Sequence, residues 1–138
     1  MDQVDSKRVL WAGPLTLLAS VLAVACIRQA AVGVLHPDPR FDPLNTLQLP
    51  IFDTLLFGGM AVFAFFRMCS YDLDPIAGYR SLAWKCLLVS FVPDILLALD
   101  HLFGGGWPEA FALMAMHVAV WALCVTMLPA LAKRRQPS

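Results

Sequence analysis

Charge is scarce in this chain and neither sign is in excess. Of 138 residues only 14% are charged, ten basic side chains balance ten acidic ones, and the formal net charge is zero. Nothing here suggests a nucleic-acid partner, which calls for a basic surface. Cysteine supplies no framework: Cys26, Cys69, Cys86 and Cys124 are scattered, with no CxxC pair. That spacing excludes a disulfide scaffold and a dithiol redox centre, and without clustered histidines it offers no structural zinc site. A serine nucleophile elbow, a phosphate-binding glycine loop and an HExxH pair are also missing. So are an internal repeat of the kind built into transporters and any low-complexity tract, which leaves a single domain.

What the chain has in abundance is apolar surface. Hydrophobic residues make up 59% of it, and the mean hydropathy of +0.70 is far above the balance of a soluble domain. Crossing a hydrocarbon core of about 30 Å takes about 20 apolar residues as a helix. The pattern predicts an all-α fold, an integral membrane four-helix bundle, with helices over about 9–34, 50–68, 82–103 and 108–132. Pro50 and Pro108 stand where a first-turn proline is tolerated. Glu109 suits the positive end of the fourth helix, and Gly104-Gly105-Gly106 are expected to stop the third.

Sidedness is read from basic residues in short flanks, which are retained in the cytoplasm. Lys7, Arg8, Arg67, Arg80, Lys85, Lys133, Arg134 and Arg135 all fall on one side of this map, whereas Arg40 alone lies in a loop on the other. Both termini are therefore expected in the cytoplasm. The outer side receives the loop from His36 to Gln48 and the glycine turn; the inner side receives Ser70 to Arg80. Leu22-Ala23-Val24-Ala25-Cys26 loosely matches a lipoprotein cleavage box. The apolar run continues to Val34, however, which favours an uncleaved helix.

An ionised residue near a helix centre costs roughly 2.5 to 3.5 kcal/mol on insertion scales, so each one needs a partner or water. Arg28 and Asp53 lie about 10 and 5 Å below the outer ends of the first two predicted helices, and Asp94 and His117 about 13 Å below those of the last two. A shared depth on four helices suits a common interior site. The sharpest expectation is an ion pair between Arg28 and Asp94, with His117 and Asp53 nearby. Pro93 removes a backbone hydrogen bond and frees the carbonyl of Val89. Ser90, Asp94 and His101 then form a polar stripe on the third helix, and Met114, His117, Trp121 and Cys124 a stripe on the fourth. The same network would also serve simply to lock helices together.

Weaker groupings are explained without chemistry. His36, Asp38 and Asp42 are interrupted by prolines, as in a solvated loop, and Asp72 and Asp74 sit in a similar one. Gly58 and Gly59, with Ala61 and Ala64, permit close helix approach, including that of a partner. No cofactor or metal is implied.

Leu49-Pro50-Ile51-Phe52-Asp53-Thr54, Val89-Ser90-Phe91-Val92-Pro93-Asp94, and Ala112-Leu113-Met114-Ala115-Met116-His117-Val118 with Leu128-Pro129-Ala130-Leu131-Ala132 together resemble a known family. It is a group of small bacterial four-helix membrane proteins, common in actinobacteria and known as a domain of unknown function (DUF6069). The resemblance implies a bacterial plasma-membrane location and an extracytoplasmic pairing of a Ser-Pro element with a histidine on helices three and four. It implies no activity. The acidic, glycine-bearing loop expected before helix two is replaced here by the proline-rich Pro37 to Pro43 stretch.

Three functions compete. The first is a non-enzymatic accessory or small-ligand-binding membrane subunit whose partners are the bilayer and either a second copy or a larger membrane protein. The second is a proton- or ion-coupled transporter component using Asp94 and His117, since such groups form relays in membranes. The third is a membrane enzyme on a lipid-like substrate, with Asp94 or His117 as acid or base. It ranks last, because no nucleophile or oxyanion arrangement accompanies them.

Overall fold

Each long helix with a resolved cap begins at a residue that satisfies its first free N–H groups. Asp5 accepts from Lys7 N at 2.9 Å and opens α1, Ser6–Leu35. Asp74 accepts from Ala77 N at 3.2 Å, with Pro75 in the first position, and opens α4, Pro75–Leu99. Glu109 folds its carboxylate back to accept from Gly106 N at 2.9 Å and opens α5, Trp107–Ala132. Such caps pair donors that would otherwise be left unsatisfied. Between α1 and the second long helix, α3, Gln48–Tyr71, lies a single turn, α2, Asp42–Asn45. The computed structural model describes residues 4–71 and 73–133. Asp72, Arg134 and Arg135 fall outside them.

The expected four helices are all present, and each is long and apolar enough to cross a membrane. Their ends differ from the hydropathy estimate at α4. This helix starts at Pro75 rather than Leu82, because the Asp74-Pro75 start signal acts through backbone donors and is indifferent to the polar residues that follow. It stops at Leu99 rather than Phe103, because His101 takes up the left-handed conformation (φ 47°) that ends the run.

Around the bundle, α1 packs on α3 and α5, α5 packs on α4, and α3 closes the ring against α4. Consecutive long helices alternate in direction. One end of the bundle therefore holds both chain ends and the α3–α4 connection, and the other holds residues 36–47 and 100–106. At the termini end Asp5 N donates to the Ala132 carbonyl at 3.0 Å and Arg8 donates to that of Lys133 at 2.7 Å, which ties the start of α1 to the end of α5. The core near this end is built from Val9, Ala12, Phe65, Tyr79, Cys124, Val125, Leu128 and Ala132. Close helix approach is secured by glycine. A Cβ on Gly13 would meet Val62 Cγ1 at 2.5 Å, and one on Gly58 would meet Leu17 Cδ2 at 2.6 Å. Gly58 is thus consumed between α1 and α3, whereas Gly59 faces open space.

A second, smaller core at the loop end consists of Val24, Phe41, Leu44 and Met116. Two of these come from the 36–47 loop, which folds back into the bundle instead of resting on it.

Candidate functional site

Polar residues sit in two groups, and the expected pairing between them is corrected by the structure. Arg28 is not paired with Asp94. Its Nε donates to the Leu44 carbonyl at 2.8 Å, its Nη2 to that of Asn45 at 2.7 Å, and its Nη1 to Gln29 Oε1 at 3.1 Å. These carbonyls end the turn of α2, where no following N–H reaches back to satisfy them. The guanidinium fork suits two neighbouring acceptors, so Arg28 clamps the loop and makes no hydrogen bond or ion pair with Asp94.

The clamp holds a plug. Phe41 is 1% exposed and Leu44 is fully buried. The Asn45 amide braces the loop from within, donating to the carbonyls of Asp38 at 2.6 Å and Phe41 at 3.1 Å. Clearance is provided by the glycine turn: a Cβ on Gly105 would stand 2.3 Å from the Phe41 ring, and one on Gly104, at φ +78°, 2.8 Å from Asp38. These glycines make room for the other loop. Asp38 also pairs with Arg40 at 3.1 Å. The hydrogen bonds from Arg40 hold the Asp38 carboxyl below the usual carboxylate range. Among the described residues His36, Asp38 and Asp42 do not gather as metal ligands.

The second group lies on the α4–α5 seam. Asp94 belongs to the buried stripe of α4, with Tyr79, Leu87 and Ala98, and its carboxylate meets His117 Nδ1 at 2.9 Å. The two side chains differ in setting, at 5% exposed for Asp94 and 40% for His117. A carboxylate cannot donate, so with Asp94 ionised the Nδ1 proton belongs to the imidazole and Nε2 is turned away from the pair. A buried acid thus fixes the tautomer and aim of a half-exposed base. On a half-exposed ring, Nε2 is left outside the pair as an acceptor, or as a donor once protonated. One turn further along α5, Trp121 stacks on Trp84 of α4, with ring centroids 4.8 Å apart and planes at 22°.

Compared with protein-family models, with curated proteins and with solved structures, the chain matches none of them. The site must be interpreted from its own geometry.

Of the six candidate residues, four of them expected to share a site, the structure joins only Asp94 and His117. Asp53 is exposed because α3 turns Thr54 and Gly58 inward instead. Ser90, beside the proline-freed Val89 carbonyl, donates to Leu87 O at 2.7 Å. His101 is exposed in the turn and donates from Nδ1 to the Gly105 carbonyl at 3.3 Å. The plug residues Phe41 and Leu44 are not among the six candidates. A signal for them exists: they are the large apolar side chains of residues 37–45, a stretch otherwise built from Pro, Asp, Arg and Asn, and such residues seek cover.

Proposed function

We propose that the chain is a multi-pass protein of the bacterial plasma membrane, with both termini cytoplasmic, that acts as a non-enzymatic subunit. In this role it offers the His117 imidazole, braced by Asp94, to a small polar ligand or to a polar group on a membrane partner. Support for the membrane setting comes from the surface. Leu18, Leu22, Phe52, Phe57, Phe63, Leu88 and Phe111 are each at least 57% exposed, far more apolar surface than a soluble monomer carries. The resemblance to the small actinobacterial four-helix proteins adds the bacterial location.

The observation that carries the role is the unequal burial of the pair. A purely structural lock would bury both partners, since a hydrogen-bonding group facing hydrocarbon without a partner is costly. Here only the acid is enclosed, and the base stays half-exposed with Nε2 outside the pair. A hydrogen-bonding occupant at Nε2 resolves that cost. The test is the native mass of the full chain released from nanodiscs. Wild type is expected to carry a bound molecule or a partner chain that His117→Ala lacks. A bare monomer for both refutes the role.

A second function is favoured by the same contact, because an acid and an imidazole at 2.9 Å can hand a proton between them. A proton-coupled component would lose its pH-dependent flux in Asp94→Asn. Unchanged flux removes the pair from any relay.

A further inference from the structure

Arg80 and Trp84 stand one turn apart on α4, and Ser81 and Lys85 form the adjoining row, so the four make a small square on the helix surface. All four are exposed. Among the described residues Arg80, Ser81 and Lys85 have neither a side-chain hydrogen bond nor an ion pair. Two other cations at the termini end are engaged: Arg8 donates to the Lys133 carbonyl at 2.7 Å, and the Arg67 guanidinium lies 4.6 Å from the centre of the Tyr71 ring. The nearest acid along α4, Asp74, is occupied in capping Ala77. Trp84 is held in place by its stack on Trp121, so one wall of the square is rigid.

Depth gives the square its meaning. The 25 residues of α4 span about 37 Å, longer than a hydrocarbon core of about 30 Å. With Asp100 placed at one boundary, the other falls near residue 80. Arg80 then sits at the headgroup level, while Lys85 lies about 8 Å inside the hydrocarbon and must stretch its side chain back toward the surface. Two cations without a partner among the described residues, a hydroxyl and an interfacial indole meet where lipid phosphates lie.

We infer that Arg80, Ser81, Trp84 and Lys85 bind the phosphate headgroup of an anionic phospholipid in the leaflet at the termini end. The ligand is a lipid and not free phosphate, because Trp84 and the exposed Leu88 one turn deeper offer an apolar wall for the glycerol and upper acyl chain. An anionic lipid is preferred over a zwitterionic one, which carries its own cation and would leave Arg80 and Lys85 facing a like charge. The site rests on the membrane-spanning proposal above and is independent of the role given to His117.

The test is native mass spectrometry of the full chain released from nanodiscs of phosphatidylcholine and phosphatidylglycerol in equal parts. Each cation is worth about fivefold at a membrane surface, so wild type is expected to retain phosphatidylglycerol about 25-fold over phosphatidylcholine. Arg80→Gln with Lys85→Gln is expected to abolish the preference. The charge-preserving Arg80→Lys with Lys85→Arg, and Arg40→Gln at the opposite end, are expected to keep it. Equal retention of the two lipids by wild type overturns the inference, as does a preference that survives the double glutamine variant. Failure of the membrane proposal is seen separately, as release of the chain from membranes by alkaline carbonate.

Discussion

Replacing Gly105 by alanine isolates the contact that seats Phe41 in the end of the bundle. The backbone at Gly105 has φ −75° and ψ 156°, which any residue adopts, so alanine brings no torsional strain. On that ground alone the substitution would stabilise by about 0.4–1 kcal/mol, through the reduced freedom of the unfolded chain. The new methyl carbon, however, would lie 2.3, 2.7 and 3.2 Å from Cε2, Cδ2 and Cζ of Phe41. Carbon atoms pack at about 3.5–4.0 Å, so the ring must move by more than about 1 Å. It has nowhere to go, being 1% exposed and packed with Val24, Leu44 and Met116. Overpacking of this kind costs about 1–3 kcal/mol, for a net loss of up to about 2.5 kcal/mol. The assay is reversible unfolding of the detergent-solubilised chain, followed by helicity, in a cycle with Phe41→Leu. Gly105→Ala is expected to destabilise the chain that keeps Phe41, and to be neutral or stabilising in the Phe41→Leu background. Equal effects in the two backgrounds would show that the ring is not what the glycine accommodates.

Arg28→Ala strips the Leu44 and Asn45 carbonyls of their donors and is expected to cost about 1–3 kcal/mol. Asp94→Ala should not rescue it in the same unfolding assay, and rescue would restore the ion pair that the structure denies. His117→Ala leaves the buried Asp94 carboxylate without its partner, again a loss of about 1–3 kcal/mol, whereas the double change Asp94→Leu and His117→Leu should recover most of it. Gly13→Ala should be more damaging than Gly58→Ala, because the stiff β-branched Val62 cannot yield as the tip of Leu17 can; relative melting temperatures decide it. The Asp38 carboxyl is held low by Arg40, so their contact is complete above the ordinary carboxylate range. It is lost only as pH falls through the lowered folded value. Carboxyl carbon shifts titrated by NMR should place the Asp38 midpoint below the ordinary carboxylate range, and Arg40→Gln should raise it.

The four long helices are legible because each apolar run reports on the solvent around it, and that signal accumulates over some twenty residues. Helix ends are set by single backbone donors, and the start of α4 at Asp74-Pro75 passes unnoticed by an average over hydropathy. The meeting of Asp94 and His117 is legible for a geometric reason: both lie at similar heights on consecutive helices joined by a short turn. Height alone misleads for Arg28. A carboxylate is a conspicuous partner in a sequence, whereas every residue carries a carbonyl and none stands out. Only the fold-back of Phe41 and Leu44 brings two of those carbonyls to the guanidinium. Asp53 shows the same limit, since its depth is suitable and its direction around α3 is not.

The central claim is that a buried Asp94 fixes the tautomer of His117 and leaves Nε2 free to engage an occupant outside the pair. Nitrogen NMR of the His117 ring, in the full chain held in nanodiscs at neutral pH, tests this most directly. The account predicts a proton on Nδ1, hydrogen-bonded to Asp94, that moves to Nε2 in Asp94→Leu. A wild-type ring already protonated on Nε2 alone, and unchanged by Asp94→Leu, would contradict it.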